Sequence, residues 1–334
     1  MTARILTDSS HHPQPSVADQ WEPAYLALHR SGELRRRARA AMATLAHCEL
    51  CPHHCGVDRL AGQAPAGKLG VCRVAAAPVI ASWSVHNWEE PPISGTRGSG
   101  TIFFSGCTGR CRFCQNYSIS QLAYGNQVTI ERFAGMMLEL QRRGVHNINF
   151  VTPTHFVPQI LAAVSVAAEW GLRIPLVYNT SGYEQVETLR LLDGVIDVYL
   201  PDMKYADDAV ARRLSGFPKY VANNRAAVRE MHRQVGSSLQ CDEDGIARRG
   251  MVIRHLVLPE GLSGTADIMR WIAAELSPEI YVSVMDQYFP TYRAVDDPVL
   301  GRKITGEEYD AALAAFEDAG LTNGWLQDHD CQAG

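Results

Sequence analysis

Residues 101–116 read Thr101-Ile102-Phe103-Phe104-Ser105-Gly106-Cys107-Thr108-Gly109-Arg110-Cys111-Arg112-Phe113-Cys114-Gln115-Asn116. A short aromatic and β-branched run ends at a Ser-Gly turn signal, and a loop with cysteines spaced C-x3-C-x2-C follows it. The strand–helix alternation that starts here continues downstream. Apolar runs at 101–105, 147–152, 174–179, 195–200, 252–258 and 280–286 predict strands. Helical periodicity fills the intervals at 130–143, 157–170, 184–192, 206–234 (with a break expected at Pro218), 264–276 and 305–319. Continuous apolar strands alternating with amphipathic helices predict a parallel sheet wrapped by helices. Six such units fall short of the eight that close a barrel. The expected fold is therefore α/β, a partial open (β/α)6 barrel with an N-terminal cysteine-rich extension. Function in such folds gathers at the carboxyl ends of strands, where the cysteine loop stands.

Outward from that loop, the barrel is expected over residues 101–327, with a short tail at 328–334. Residues 21–100 predict a helical and cysteine-rich metal-binding extension with a connector. Its apolar residues Tyr25, Leu26, Leu28, Leu34, Ala41 and Leu45 recur at helical intervals. A second cysteine group occupies residues 48–72, and turn signals at Pro91-Pro92, Gly95, Gly98 and Gly100 mark 73–100 as connector. Residues 1–20 are polar, carry His11 and His12 without metal-ligand spacing, show no period, and predict a disordered tail.

The chain of 334 residues suits one large domain, or one domain with an appendage. A net charge of −5 gives no basic field for nucleic acid, and Arg35, Arg36, Arg37 and Arg39 read as a solvated helix face. The N-terminus lacks the apolar core of a secretory signal, and no apolar run is long enough to span a bilayer. The expectation is a soluble, cytoplasmic protein without a membrane partner. Cysteine usage agrees: Cys48, Cys51, Cys55, Cys72, Cys107, Cys111 and Cys114 form two tight groups. In a reducing compartment such groups read as metal ligands, while isolated Cys241 and Cys331 read as incidental thiols.

Thiolates ligate iron–sulfur clusters, and a cubane needs four ligands for closure. Cys107, Cys111 and Cys114 supply three and leave one iron open, as a catalytic site requires. A zinc loop, or a closed cluster with a remote fourth cysteine, is the alternative. The N-terminal group, Cys48-x2-Cys51-x3-Cys55-x16-Cys72, supplies four ligands and so a closed second site, zinc or iron–sulfur, with a structural or electron-relay role. His53 and His54, between the second and third of these cysteines, could substitute on zinc, but read first as solvated loop histidines.

The C-x3-C-x-aromatic-C pattern, with Phe113 as the aromatic, resembles the signature of the radical S-adenosylmethionine (SAM) superfamily. Three strand ends, Tyr178-Asn179-Thr180-Ser181-Gly182-Tyr183, Leu200-Pro201-Asp202-Met203-Lys204 and Arg254-His255-Leu256-Val257-Leu258-Pro259, look like those of pyruvate formate-lyase activating enzymes. The likeness extends over roughly residues 45–327 and is greatest to activating-enzyme-like proteins of uncharacterised function. It implies a [4Fe-4S] cluster on Cys107, Cys111 and Cys114 whose open iron chelates SAM. Reductive cleavage would yield methionine and a 5′-deoxyadenosyl radical that abstracts hydrogen from substrate. It also implies an electron donor of flavodoxin or ferredoxin type. The implied cofactor contacts are Phe113, Asn179, Ser181, Asp202, Lys204 and His255. Chemically, Asp202 can accept from ribose hydroxyls and Lys204 can pair with a carboxylate. Where the family usually places Gly-Gly-Glu against the cofactor's amino group, this chain has Val151-Thr152-Pro153-Thr154-His155, so backbone carbonyls and the Thr152 or Thr154 hydroxyl could accept.

The connector segment His86-Asn87-Trp88-Glu89-Glu90-Pro91-Pro92 pairs carboxylates with an aromatic and could lie over the barrel mouth or simply be solvated. The expected activity is hydrogen abstraction from a protein or peptide, with activation of a glycyl radical enzyme as its sharper form. Radical modification of a small molecule or peptide is the rival, and a non-catalytic iron–sulfur or zinc protein is the reading of another class. Formation of 5′-deoxyadenosine separates them.

Overall fold

The computed structural model describes residues 3–6, 21–61 and 69–327. Among these, eleven strands form one sheet: β1 Ala3–Leu6, β2 Val79–His86, β3 Ser99–Phe104, β4 Asn126–Gln127, β5 Ile148–Val151, β6 Leu176–Thr180, β7 Val198–Pro201, β8 Gln240–Cys241, β9 Ala247–Leu256, β10 Tyr281–Met285 and β11 Gly324–Gln327. Six of them, β3-β5-β6-β7-β9-β10 in spatial order, are parallel neighbours, and these are the six expected strands. β11 extends the parallel set beside β10. The strand path runs from β1 to β4 without closing, which is the partial barrel.

A helix follows each parallel strand: Ile130–Arg142, Val157–Glu169, Val186–Leu191, the pair Asp208–Ser215 and Tyr220–Val235, Thr265–Glu275 and Gly306–Asp318. Local chemistry sets their starts. Thr129 and Asp207 accept from the amides of Arg132 and Val210, and Thr305 forms a reciprocal capping box with Glu308. The pair around Pro218 is interrupted as expected, with Gly216 and Lys219 in the left-handed region.

Val157–Glu169 is apolar on nearly every side because it is covered on nearly every side. Glu33–Ala43 crosses it on one flank and Ile130–Arg142 packs on another. The first helices are thus tied to the barrel, and buried Asp197 adds a clasp by accepting from the amides of Ala24 and Leu176 at 2.8 and 2.9 Å. Arg35, Arg36 and Arg39 lie on the exposed face of that helix, as expected, whereas Arg37 is half-buried because it donates to the Asp193 carbonyl.

The structure departs from the sequence reading at the edges. β2 lies inside the expected connector and pairs antiparallel with β3. Within the segment read as a disordered tail, Ala3–Leu6 forms β1 against β11. Four residues are too few to display a period, so pairing of the β11 edge decides that strand. The rest of 1–20, with His11 and His12, and 328–334, with Cys331, lie outside the described residues. No helix among the described residues is long and apolar enough to cross a membrane.

Candidate active site

The cysteine loop leaves the carboxyl end of β3 and is held by its backbone. Arg110 and Arg112 amides donate to the carbonyls of Ser215 and Leu214 at 2.7 and 2.8 Å, which anchors the loop to the end of helix Asp208–Ser215. Gly106 sits at φ +78°, and a Cβ there would meet the Cys72 carbonyl at 2.5 Å. Only glycine permits that approach. Each sulfur faces a donor or hydroxyl: Gly109 N–H donates to Cys107 at 3.2 Å, Ser215 Oγ to Cys111 at 3.0 Å, and Cys114 lies 3.1 Å from Ser120 Oγ. Burial, joined by the Cys111 and Cys114 sulfurs, pushes the Cys107 thiol up to about 12. Binding of iron would reverse that balance by releasing the thiol protons.

A cavity of about 490 Å3 opens beneath the loop, and Cys107, Cys111 and Cys114 form part of its wall. Phe113, Thr152, Asn179, Ser181, Asp202 and Lys204 line the same space. Asp202 accepts from Lys204 Nζ at 2.5 Å and Arg254 Nε at 3.0 Å. Burial pushes the Asp202 carboxyl up, but the two cations more than offset this and hold it below its ordinary range. It is therefore a charged acceptor at neutral pH. Thr152 occupies φ +57°, a left-handed conformation that β-branched residues rarely adopt.

Two expected contacts face elsewhere. His255 is fully buried, with Nδ1 2.7 Å from the Met203 carbonyl and Nε2 2.9 Å from Thr265 Oγ1. Burial lowers it to about 4, so the neutral ring donates from Nδ1 and accepts at Nε2. Thr154 donates to buried Glu184 at 2.6 Å, where Tyr178 also donates at 3.2 Å. Arg254, one residue before His255, does line the cavity, together with Glu89 and Trp88. The signal for Arg254 was a charge inside an apolar strand.

The N-terminal cysteines pack against the cluster loop. Cys48 and Cys72 are buried, Cys51 and Cys55 half-buried, and Cys51 feels the charge of the other three. His53 is not a solvated loop residue, because its ring nitrogen lies 2.7 Å from the Thr108 carbonyl and its ring meets Tyr183 edge-on at 5.2 Å. Arg110 donates to the Val71 carbonyl from the other side. Arg59, 1% exposed, donates to the carbonyls of His155 and Ala75 at 2.7 and 3.0 Å and approaches Cys48 Sγ at 3.7 Å. Among the described residues no carboxylate forms an ion pair with it. A buried cation needs an anion, and thiolates are the soft anions at hand.

Among the described residues no three His, Cys, Asp or Glu side chains converge on a single ion-sized point. A cubane does not ask that of its three cysteines, since each ligates a different iron. The donor set of the barrel loop, three thiols with an open side toward a polar cavity, fits such a cluster.

Residues 101–238 match the Radical SAM superfamily. An uncharacterized protein of Methanocaldococcus jannaschii is 31% identical over 287 residues, which is 82% of this chain and 75% of that protein. Among solved structures, a radical SAM methyltransferase from Sphaerobacter thermophilus is 14% identical, covering 70% of this chain and 68% of its own, with a TM-score of 0.45. Methylornithine synthase (PylB) is 13% identical over 92% of this chain and 82% of its own, with a TM-score of 0.43.

Proposed function

Because the chain belongs to the radical SAM superfamily of redox enzymes, we propose that Cys107, Cys111 and Cys114 ligate its [4Fe-4S] cluster and that the cavity beneath binds SAM. The cluster with bound SAM supplies one-electron reductive cleavage of the sulfonium and hydrogen abstraction from substrate. The chain's own residues position and shield. Asp202, kept ionised by Lys204 and Arg254, would accept from ribose hydroxyls, and Lys204 would pair with the cofactor's carboxylate. Thr152, Asn179 and Ser181 supply neutral acceptors and donors at adjacent strand ends. Phe113 closes the loop against Tyr288, ring centroids 5.7 Å apart. The observation that carries this reading is the meeting of the three-thiol loop with those strand ends on one cavity. Thr154 and His255 act as supports, not contacts.

The substrate in this reading is a protein or peptide, and the finer form is activation of a glycyl radical enzyme in the cytoplasm with a flavodoxin or ferredoxin as electron donor. What supports a macromolecule is the rim. Exposed Tyr117, Leu122, Tyr124, Phe289 and Val295 lie in the two segments that flank the cavity, joined by the stacked pair Tyr117–Tyr292 at 5.0 Å. Apolar side chains grouped at a site's edge mark contact with another chain. In this reading Cys48, Cys51, Cys55 and Cys72 would hold a second metal as an iron–sulfur cluster, since zinc would require the sulfurs to converge on one ion-sized point and no three do among the described residues, and the buried Arg59 guanidinium favours thiolate there. Anaerobic reconstitution with iron and sulfide, then dithionite and SAM, should produce 5′-deoxyadenosine. A cluster-loaded protein that forms none would overturn the reading.

A further inference from the structure

Pro91–Ser94 closes the amino end of the barrel, with Ile93 packed among Val177, Val198, Leu200 and Val252. The two residues before this plug therefore enter the interior and do not lie over its mouth. Glu89 faces the cavity, its side chain 8% exposed and 3.5 Å from Arg254. Glu90 is buried behind it, with Oε2 lacking any hydrogen-bond partner. Beside Glu89 stands Asn149, fully buried, its amide close enough to favour the charged carboxylate yet with neither Nδ2 nor Oδ1 in a formed hydrogen bond.

Buried polar atoms are nearly always partnered, and of these three residues Glu89 alone reaches the cavity wall, so a ligand there would meet Glu89 with Glu90 and Asn149 behind it. Its charge is legible from the neighbours. Glu89, Glu90 and Asp202 are three carboxylates against the two cations Arg254 and Lys204, both already bonded to Asp202. Carboxyl acceptors therefore outnumber the cations that reach them. We propose that Glu89, backed by Glu90 and Asn149, forms the substrate subsite of the cavity and receives a protonated amine or guanidinium. Burial, against the pull of Arg254, raises Glu89 to about 7, and a cation bound beside it would favour the ionised form. The inference rests on the reading above that cofactor and substrate share this cavity, with the cofactor under the cluster loop and the substrate on the floor.

The test uses the full chain and n-butylammonium as probe, with n-butanol as the neutral control, followed by ligand-observed NMR. Saturable binding of n-butylammonium but not butanol is expected. Glu89→Gln should weaken it about tenfold or more, the effect of losing a charged hydrogen-bond acceptor. Glu90→Gln should weaken it less, and thermal melts of both variants establish that they fold. Saturating SAM should leave the probe bound. Equal binding of butanol, undiminished binding in folded Glu89→Gln, or displacement of the probe by SAM overturns the proposal. Retained n-butylammonium binding in a protein that forms no 5′-deoxyadenosine would instead sink only the cluster reading.

Discussion

The Arg59 guanidinium lies 3.7 Å from the Cys48 sulfur in a fully buried position. An ion that far from water persists only with a compensating charge, and a metal-bound thiolate is one. The triple Ala variant at Cys107, Cys111 and Cys114 should therefore still carry metal stoichiometrically. Elemental analysis separates zinc from iron. Arg59→Met should lower that metal content, since it removes the charge that favours thiolate. A folded triple variant without zinc or iron would show the N-terminal group to be ordinary thiols.

Single Ser substitutions at Cys107, Cys111 or Cys114 should abolish 5′-deoxyadenosine formation, because a hard oxygen replaces a soft ligand. Chromatography of the quenched reaction reads the outcome. Turnover in any one of the three sinks the ligand assignment.

Asp202→Asn keeps the shape and removes the charge that faces the cavity. Affinity for SAM should fall by roughly 1.5–3 kcal/mol while cluster iron stays constant. Calorimetric titration of reconstituted protein measures it, and an unchanged affinity would leave Asp202 only its ion pairs with Lys204 and Arg254.

Thr152→Gly should raise thermal stability. A left-handed L-residue stores roughly 1–2 kcal/mol, and the added backbone entropy of glycine returns roughly 0.5–1 of it. The expected net gain is about 0.5–1 kcal/mol, read as a higher Tm. Loss of stability would mean that the Thr152 side chain holds the loop.

Burial raises Glu184 to about 7 against three hydroxyl donors. The folded state then holds a proton that the unfolded state releases near the ordinary carboxylate value. Stability should consequently fall as pH rises from about 4.5 to about 7, and level off above. The span is on the order of 3 kcal/mol. Glu184→Gln should flatten that slope in urea melts taken across the window. An unchanged slope would place the proton elsewhere.

The six parallel strands, their helices and the cysteine loop were all legible because each signal is local. Apolar runs, caps such as Thr305 with Glu308, and the spacing of Cys107, Cys111 and Cys114 depend on near neighbours alone. β2 was also written in its alternation of Ser82 and Ser84 with Trp83 and Val85, but the turn residues that follow it masked the run.

What local sequence could not decide is which way a side chain faces. Arg254 and His255 are adjacent on β9, and a strand sends neighbours to opposite faces. In a parallel sheet both faces are buried, so apolar residues flank each of them and alternation has no contrast to read. The register of β9 between β7 and β10 turns Arg254 into the cavity and His255 toward Met203 and Thr265. The same long-range placement brought Glu89, from a segment that reads as connector, to Arg254 across 165 residues of chain. The sequence alone determined the architecture and the three-thiol loop. Only the tertiary structure decided which polar residues meet beneath it, because facing is set by barrel register and not by any neighbour along the chain.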